Sequence, residues 1–262
     1  MILFHNLTDE NYYSKEMDLK YFSVSQFKNF DKCGAKALHD LQFDINETKE
    51  AYVEGQLFEA LTIGDKDLFF AKHPEMISSQ GPTKGQLKAN YKKVVKAAER
   101  FNEQEFFREI INGCQKQVIL TGIINGIEVK GRLDLLDLDK KLIPDIKCMA
   151  DFNDQYDKKE KCYKPWYYTY DYVLQLAIYQ ELVKQNYGIK CTPCLLAATK
   201  EETPDLASIM FDDKLLEIEL ERFGKDVIYF DNVKKGVAVP ISCGICDYCK
   251  SAKIIQGFTE VK

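Results

Sequence analysis

Ile127-Glu128-Val129-Lys130-Gly131-Arg132-Leu133-Asp134-Leu135-Leu136-Asp137-Leu138-Asp139-Lys140-Lys141-Leu142-Ile143-Pro144-Asp145-Ile146-Lys147-Cys148 decides the fold. Its first half alternates apolar and polar residues, the period-2 pattern of a strand. Upstream, QVILTGI ends near Asn125-Gly126, the pair that favours a type I′ turn between antiparallel strands. Downstream, the chain turns again near Asp139-Lys140 and returns as LIPDIKC. A two-residue hairpin there sets Leu138 opposite Lys141 and, counting outward, Asp134 opposite Asp145.

Directly opposed residues have Cβ atoms about 5 Å apart. Two carboxylates so close repel unless a cation or a proton sits between them. Hard oxygen ligands of this kind suit Mg²⁺ or Mn²⁺. Lys147 follows Asp145 by two, so a strand puts both side chains on one face. An ammonium there can orient an attacking water or stabilise developing negative charge. Pro144 fits a strand only at an edge or a bulge. Without further context the same pattern describes a surface hairpin with scattered charge.

Around this hairpin the pattern is mainly helical. Ser25–Leu41 is expected as a helix capped by Ser25, with Phe27, Phe30, Ala37, Leu38 and Leu41 on its apolar side. A second helix is expected from about Ala51 to Leu61. Thr83, after Pro82, can cap a third to about Arg100, with Lys84, Lys88, Lys92, Lys96 and Arg100 as a basic stripe. Such a stripe is by default a solvated face. A polar, aromatic loop, Met149 to about Tyr168, precedes a helix from about Tyr170 to Asn186. CLLAATK and ASIMF are expected strands, Asp213 to about Val233 a last long helix, and a cysteine-rich tail closes the chain.

The 262 residues are 45% hydrophobic, enough for a sizeable core. No apolar run is long enough to span a membrane. The start, MILFHNLTDENYY, lacks a basic n-region, so no signal peptide and a cytosolic location are expected. In that compartment the nine cysteines are not expected to form a disulfide framework. The formal charge of -5 argues against a uniformly basic surface. A local basic groove can still sit on an acidic body.

Gly131-Arg132-Leu133-Asp134, Pro144-Asp145-Ile146-Lys147 and Gln175-Leu176-Ala177-Ile178-Tyr179, in this order, resemble the PD-(D/E)xK nuclease superfamily. Within it the chain is similar to the RecB and RecE branch and its phage exonucleases, over about Ser23 to Cys249. The resemblance implies an α/β fold with a restriction-endonuclease-like core, a central mixed β-sheet flanked by helices, in a single nuclease domain over residues 1–262. It implies Asp134, Asp145 and the Ile146 carbonyl as Mg²⁺ or Mn²⁺ ligands and Lys147 as the group assisting the water. Gln175 and Tyr179 would face the site, one helical turn apart. By themselves they would suit a solvated face and a core aromatic. The family's early G-x-x-x-H step is Gly55-Gln56-Leu57-Phe58-Glu59 here, so Glu59 stands where the family has histidine. It is either a further metal ligand or an exposed helix glutamate. His39 and His73 have no comparable support.

Cys243-Gly244-Ile245-Cys246-Asp247-Tyr248-Cys249 gathers three thiols that can converge on one centre. Cys33, after Ser25-Gln26-Phe27-Lys28-Asn29-Phe30, makes a pattern that resembles the iron–sulfur nucleases of the AddB and CRISPR-associated types. That resemblance implies a [4Fe-4S] cluster on Cys33, Cys243, Cys246 and Cys249, with Zn²⁺ on the same cysteines, or free thiols, as alternatives. The second gap is shorter than that pattern usually has. Cys191 and Cys194 form a C-x-x-C that opens an apolar strand, which suits core residues.

The loop after Lys147 holds Lys158, Lys159, Lys161 and Lys164 beside Tyr163, Trp166, Tyr167 and Tyr168. Lysines contact phosphates and aromatics stack on bases, so this loop is a candidate DNA track. A solvated loop with its aromatics packed on the body is the alternative. The resemblance implies an exonuclease processing duplex DNA ends for recombination, acting with a single-strand annealing recombinase and forming rings or other homo-oligomers. A CRISPR-adaptation-type enzyme that trims single-stranded ends, and a non-cleaving DNA-binding module on the same fold, are the alternatives.

Overall fold

The structure is a computed structural model that describes residues 7–45, 50–157, 160–255 and 257–258. In chain order the elements are α1 (Lys15–Lys20), α2 (Val24–Phe43), α3 (Glu50–Thr62), α4 (Lys66–Lys72), α5 (Ala89–Asn102), α6 (Glu105–Ile111), β1 (Gln115–Ile124) and β2 (Ile127–Leu136). There follow β3 (Leu142–Met149), β4 (Gln155–Asp157), β5 (Cys162–Lys164), α7 (Trp166–Thr169), α8 (Tyr172–Tyr187), β6 (Thr192–Thr199), β7 (Leu206–Met210), α9 (Asp213–Lys234) and α10 (Asp247–Ser251). They divide into two compact units. Glu47–Leu120 and Gly131–Leu220 belong to the first, and His5–Asn46, Thr121–Lys130 and Glu221–Lys262 to the second.

The first unit is built on a mixed sheet of order β3-β6-β7, in which β3 and β6 run parallel and β6 and β7 antiparallel. Parallel neighbours need a long crossover. Here it runs through the β4–β5 hairpin, α7 and α8. Asp145 pairs with Leu195, Ile146 with Leu196 and Lys147 with Ala197. Alternate residues therefore serve opposite faces. Ile146, Leu196 and Ala198 join Leu57 and Phe58 of α3 and Val94 and Phe101 of α5 in one buried cluster. Asp145 and Lys147 point the other way, toward α8. Pro144 lies on β3 at the edge of this three-stranded sheet, a position that tolerates a residue without an N–H.

Gly131 opens β2's share of this unit and admits α8 closely. A Cβ there would stand 2.8 Å from Leu182 Cδ1 and 3.0 Å from Tyr179 Cε1. The β1–β2 hairpin turns at Asn125 and Gly126, at φ 49° and 83°, as the Asn-Gly pair requires.

The second unit gathers aromatic rings from α2 and the later part of α9. Phe27 lies 4.8 Å from Phe223 and 5.2 Å from Phe230, centroid to centroid, and Phe30 lies 5.7 Å from Phe230. Lys130 is fully buried here and donates to Asp18 Oδ1 at 2.7 Å and to the Tyr12 carbonyl at 2.5 Å. Pairing of this kind is what makes a buried ammonium tolerable.

Several element boundaries differ from expectation. The cap of α2 is Ser23, whose hydroxyl accepts the Gln26 N–H at 3.2 Å, not Ser25. α5 begins at Ala89, because Gly81–Thr83 forms a separate 3₁₀ turn. Lys84 therefore lies off the helix, and the basic stripe shortens to Lys92, Lys96 and Arg100. Of these, Lys96 pairs with Glu202 at 2.9 Å and Arg100 with Glu103 at 3.7 Å. The loop after Met149 contains a short hairpin, β4–β5, and a turn of helix, α7. Among the described residues no helix is long and apolar enough to cross a membrane.

Candidate active site

β3 carries Asp145 and Lys147 on one face, and β2 carries Asp134. The turn between these strands is wider than a two-residue hairpin. Asp137 and Leu142 exchange both backbone hydrogen bonds, leaving residues 138–141 as the loop. Asp137 Oδ1 accepts the Lys140 N–H at 2.8 Å, and Lys141 has φ 55°. The expected turn is corrected, yet both turns count outward to the same opposition of Asp134 and Asp145. Past Asp137 and Leu142 a side chain takes over from the ladder, since Asp134 Oδ2 accepts the Ile146 N–H at 2.9 Å.

Asp145 is only 1% exposed. Lys147 Nζ lies 2.5 Å from Asp145 Oδ2 and 3.9 Å from Asp134 Oδ2. Burial alone would depress the lysine's pKa. Asp145 and then Asp134 outweigh it and hold Lys147 above its ordinary value. Lys147 thus stands between two acids that favour its charged form. It also lies 5.2 Å over the ring of Tyr172, whose hydroxyl burial pushes up to about 12.

α8 fixes the acid from the other side. Gln175 Nε2 donates to Asp145 Oδ1 at 3.0 Å and to the Tyr179 hydroxyl at 3.2 Å. Tyr179 in turn donates to the Arg132 carbonyl at 3.0 Å. The i, i+4 spacing puts Gln175 and Tyr179 on one helix face, and the chain of bonds runs from β3 through α8 to β2. Gln175 is half-buried with its amide N–H groups engaged, and the Tyr179 hydroxyl has a specific partner.

Glu59 on α3 lies within electrostatic reach of the same acids. Burial first, then the Asp134 charge, pushes its carboxyl up to about 7, against the opposing pull of Arg132 and Lys147. Gln117 Nε2 donates to Glu59 Oε1. Gln117 has φ 54° inside β1, the left-handed region that a glutamine rarely adopts. Sequence reasoning missed Gln117 and Tyr172. Gln117 was expected as the first residue of an ordinary strand, and no local signal marks its inverted backbone. By donor chemistry, three carboxylates crowded enough that the Asp134 and Asp145 charges push up the Glu59 carboxyl fit a hard divalent cation such as Mg²⁺ or Mn²⁺.

The second unit holds four cysteines together. Every pair among the Sγ atoms of Cys33, Cys243, Cys246 and Cys249 lies within 4.8 Å. Cys33 stands at a kink in α2, with φ −165° and ψ 97°. Cys243 and Cys246 come from the turn into α10, and Cys249 from α10 itself. Hydrogen bonding, first from the Gly244 backbone, holds the Cys249 thiol down to about 6 and so favours the thiolate, the form that binds metal. Cys191 and Cys194 are buried apart from this set, Cys194 within β6.

In the loop after Lys147, Lys158 and Lys159 lie outside the described residues. Lys164 is engaged by Asp157 at 3.0 Å and Glu160 at 2.6 Å. Trp166 is 4% exposed and stacked on Phe152 with ring centroids 5.0 Å apart, so its face is covered by protein. Lys161 is exposed. The open aromatics are Tyr156 and Tyr163, 49% and 72% exposed, which pair across β4 and β5.

Residues 23–252 match a family described as "PDDEXK-like domain of unknown function (DUF3799)". A solved structure from Eubacterium rectale, named "Putative exonuclease", superposes with a TM-score of 0.87 at 30% identity, covering 98% of this chain and 97% of that one. A second, SSO0001, reaches a TM-score of 0.29 at 13% identity over 77% of this chain and 84% of that one, too low to bear on the fold. None of the curated proteins matches the chain. With its acids, lysine and helical glutamine held as described and the match running through both units, the chain belongs to the PDDEXK-like family.

Proposed function

We propose that this protein is a metal-dependent deoxyribonuclease, an exonuclease that hydrolyses phosphodiester bonds at duplex DNA ends. The observation that carries the proposal is Lys147 Nζ set between Asp145 at 2.5 Å and Asp134 at 3.9 Å, with Gln175 holding the far oxygen of Asp145. Asp134, Asp145, the Ile146 carbonyl and Glu59 would hold Mg²⁺ or Mn²⁺, which supplies Lewis-acid activation of water and phosphate when bound. Lys147 orients the attacking water and offsets charge that develops on the phosphate. Gln175 and Tyr179 keep Asp145 from rotating away. The similarity to the E. rectale protein supports the exonuclease assignment. The family match through segments of both units supports one nuclease domain with the cysteine site as a structural part.

Lys161 and the exposed rings of Tyr156 and Tyr163 are the DNA contacts this loop offers among its described residues. Processing of ends for recombination, beside a single-strand annealing protein and in a homo-oligomer, is the role the family resemblance favours.

The test is cleavage of end-labelled blunt duplex and of single strands with Mg²⁺, with Mn²⁺ and with neither. Metal-dependent shortening of the duplex from its ends, lost in Asp145→Ala and Lys147→Ala proteins that still fold, is the expected result. Full activity in either variant overturns the proposal. A preference for single strands shifts it to the end-trimming alternative.

A further inference from the structure

We propose that Cys33, Cys243, Cys246 and Cys249 hold a single tetrahedral zinc ion and not the four-iron cubane that the sequence pattern suggests. The Sγ of Cys33 lies 3.5 Å from that of Cys249 and 3.8 Å from that of Cys246, and Cys243 and Cys249 are 3.9 Å apart. Four thiolates around one zinc at about 2.3 Å form a tetrahedron whose edge is about 3.8 Å. These three separations match that edge, and all six lie within 4.8 Å. A cubane places each thiolate on a different iron at a different corner, with four sulfides between, and so requires the thiolates to stand much further apart.

Backbone contacts tie together the segments that carry the cysteines. α2 breaks its helical path at Cys33, which turns this side chain toward the group. At the next residue, Gly34, a Cβ would stand 3.3 Å from the Ile241 backbone nitrogen. Ala35 donates its N–H to the Ile241 carbonyl at 3.1 Å, tying the incoming segment to α2 just before Cys243. Gly244, at φ 73°, makes the tight turn between Cys243 and Cys246. Cys246 N–H points at Cys243 Sγ and Cys249 N–H at Cys246 Sγ, both at 3.4 Å. Such N–H···S bonds orient thiolates and stabilise their charge. The four protein ligands complete a tetrahedral shell, so the ion closes structure and leaves no position for a reacting water.

The full-length protein, expressed with both iron and zinc available and purified without oxygen, tests this. The expected product is colourless, with one zinc per chain by elemental analysis and no acid-labile sulfide. Exchange with Co²⁺ is expected to give the intense visible absorption of a tetrahedral all-thiolate site. Cys33→Ser and Cys246→Ser are each expected to lose the zinc. A brown protein carrying iron and sulfide overturns the proposal, as does a metal-free chain, or zinc retained in full by both variants. Should a variant fail to fold, the metal content and cobalt spectrum of the unaltered chain decide. None of these readings depends on DNA cleavage, so they stand or fall apart from the nuclease proposal.

Discussion

Gln175 donates its side-chain N–H to Asp145 Oδ1 at 3.0 Å, on the side of that carboxylate away from Lys147. The acid is therefore gripped at both oxygens, and the grip from α8 is removable without touching a charge. Gln175→Leu is expected to leave folding intact and lower kcat roughly 10- to 100-fold, the range for loss of a partner that orients a metal ligand. Steady-state cleavage kinetics beside a thermal melt check this. Unchanged kcat would show that Asp145 needs no such support.

Lys147→Met removes the cation from a nearly fully buried carboxylate. Breaking one side of such a pair costs roughly 3–5 kcal/mol unless another cation takes its place. The variant is expected to melt well below the wild type without metal and to regain more of its Tm on adding Mg²⁺ than the wild type gains. Melting curves with and without Mg²⁺ decide, and equal metal responses would mean that no cation shares the Asp134–Asp145 space.

Glu59 stands in a site where burial and the Asp134 charge both oppose its ionisation. Glu59→Gln keeps the shape and removes that conflict. The metal-free variant is expected to be at least as stable as the wild type, while needing several-fold more Mg²⁺ or Mn²⁺ for half-maximal cleavage. An unchanged metal requirement would exclude Glu59 as a ligand.

Gly131→Ala drives a Cβ into Leu182 and Tyr179. Crowding of this degree in a packed interior costs about 1–3 kcal/mol. Because Tyr179 carries the hydrogen bond to Gln175, cleavage is expected to fall by more than the unfolded fraction explains. Urea unfolding at matched metal, set beside the rate, separates the two effects.

Lys234 supplies a pH signature in the second unit. Burial, only partly offset by Asp18 and Asp231, pushes its ammonium down to about 8, with Lys130 and Lys235 adding repulsion. The unfolded chain titrates this lysine at its ordinary, higher value, so between about 8 and 10.5 the unfolded state binds more protons and wild-type stability gains from rising pH. The thiols of half-buried Cys148 and buried Cys194, pushed up to about 12 by desolvation, act in the opposite sense. The measurement is therefore the difference between the wild type and Lys234→Met. That difference is expected to move in favour of the wild type across this window, by at most about 1.4 kcal/mol per pH unit. A difference that stays flat would place the lysine's pKa at its ordinary value in the folded chain.

The parts legible in the sequence were those specified locally. Asn125-Gly126 announces its turn, and Asp134, Asp145 and Lys147 sit on one continuous stretch where counting residues fixes who faces whom. That count survived an error in the turn, because a four-residue loop and a two-residue loop share the same centre. Gln175 and Tyr179 follow from helical spacing once the motif order gives them a target. Distant contacts were not legible. Trp166 looks like an exposed loop aromatic until Phe152 covers it. Lys164 looks available until Asp157 and Glu160 claim it. Gln117 reaches Glu59 through an inverted backbone that no neighbouring residue demands.

Asp134 takes the Ile146 N–H where the strand ladder would otherwise have continued, and so it is mortar as well as proposed ligand. Removing its whole side chain opens a seam between β2 and β3 and strips the proposed ion's anchor in one stroke. Asparagine at 134 parts the two duties: its amide oxygen can still accept from Ile146, while the negative charge is gone. Asp134→Asn therefore interrogates charge at this seam while leaving the masonry standing.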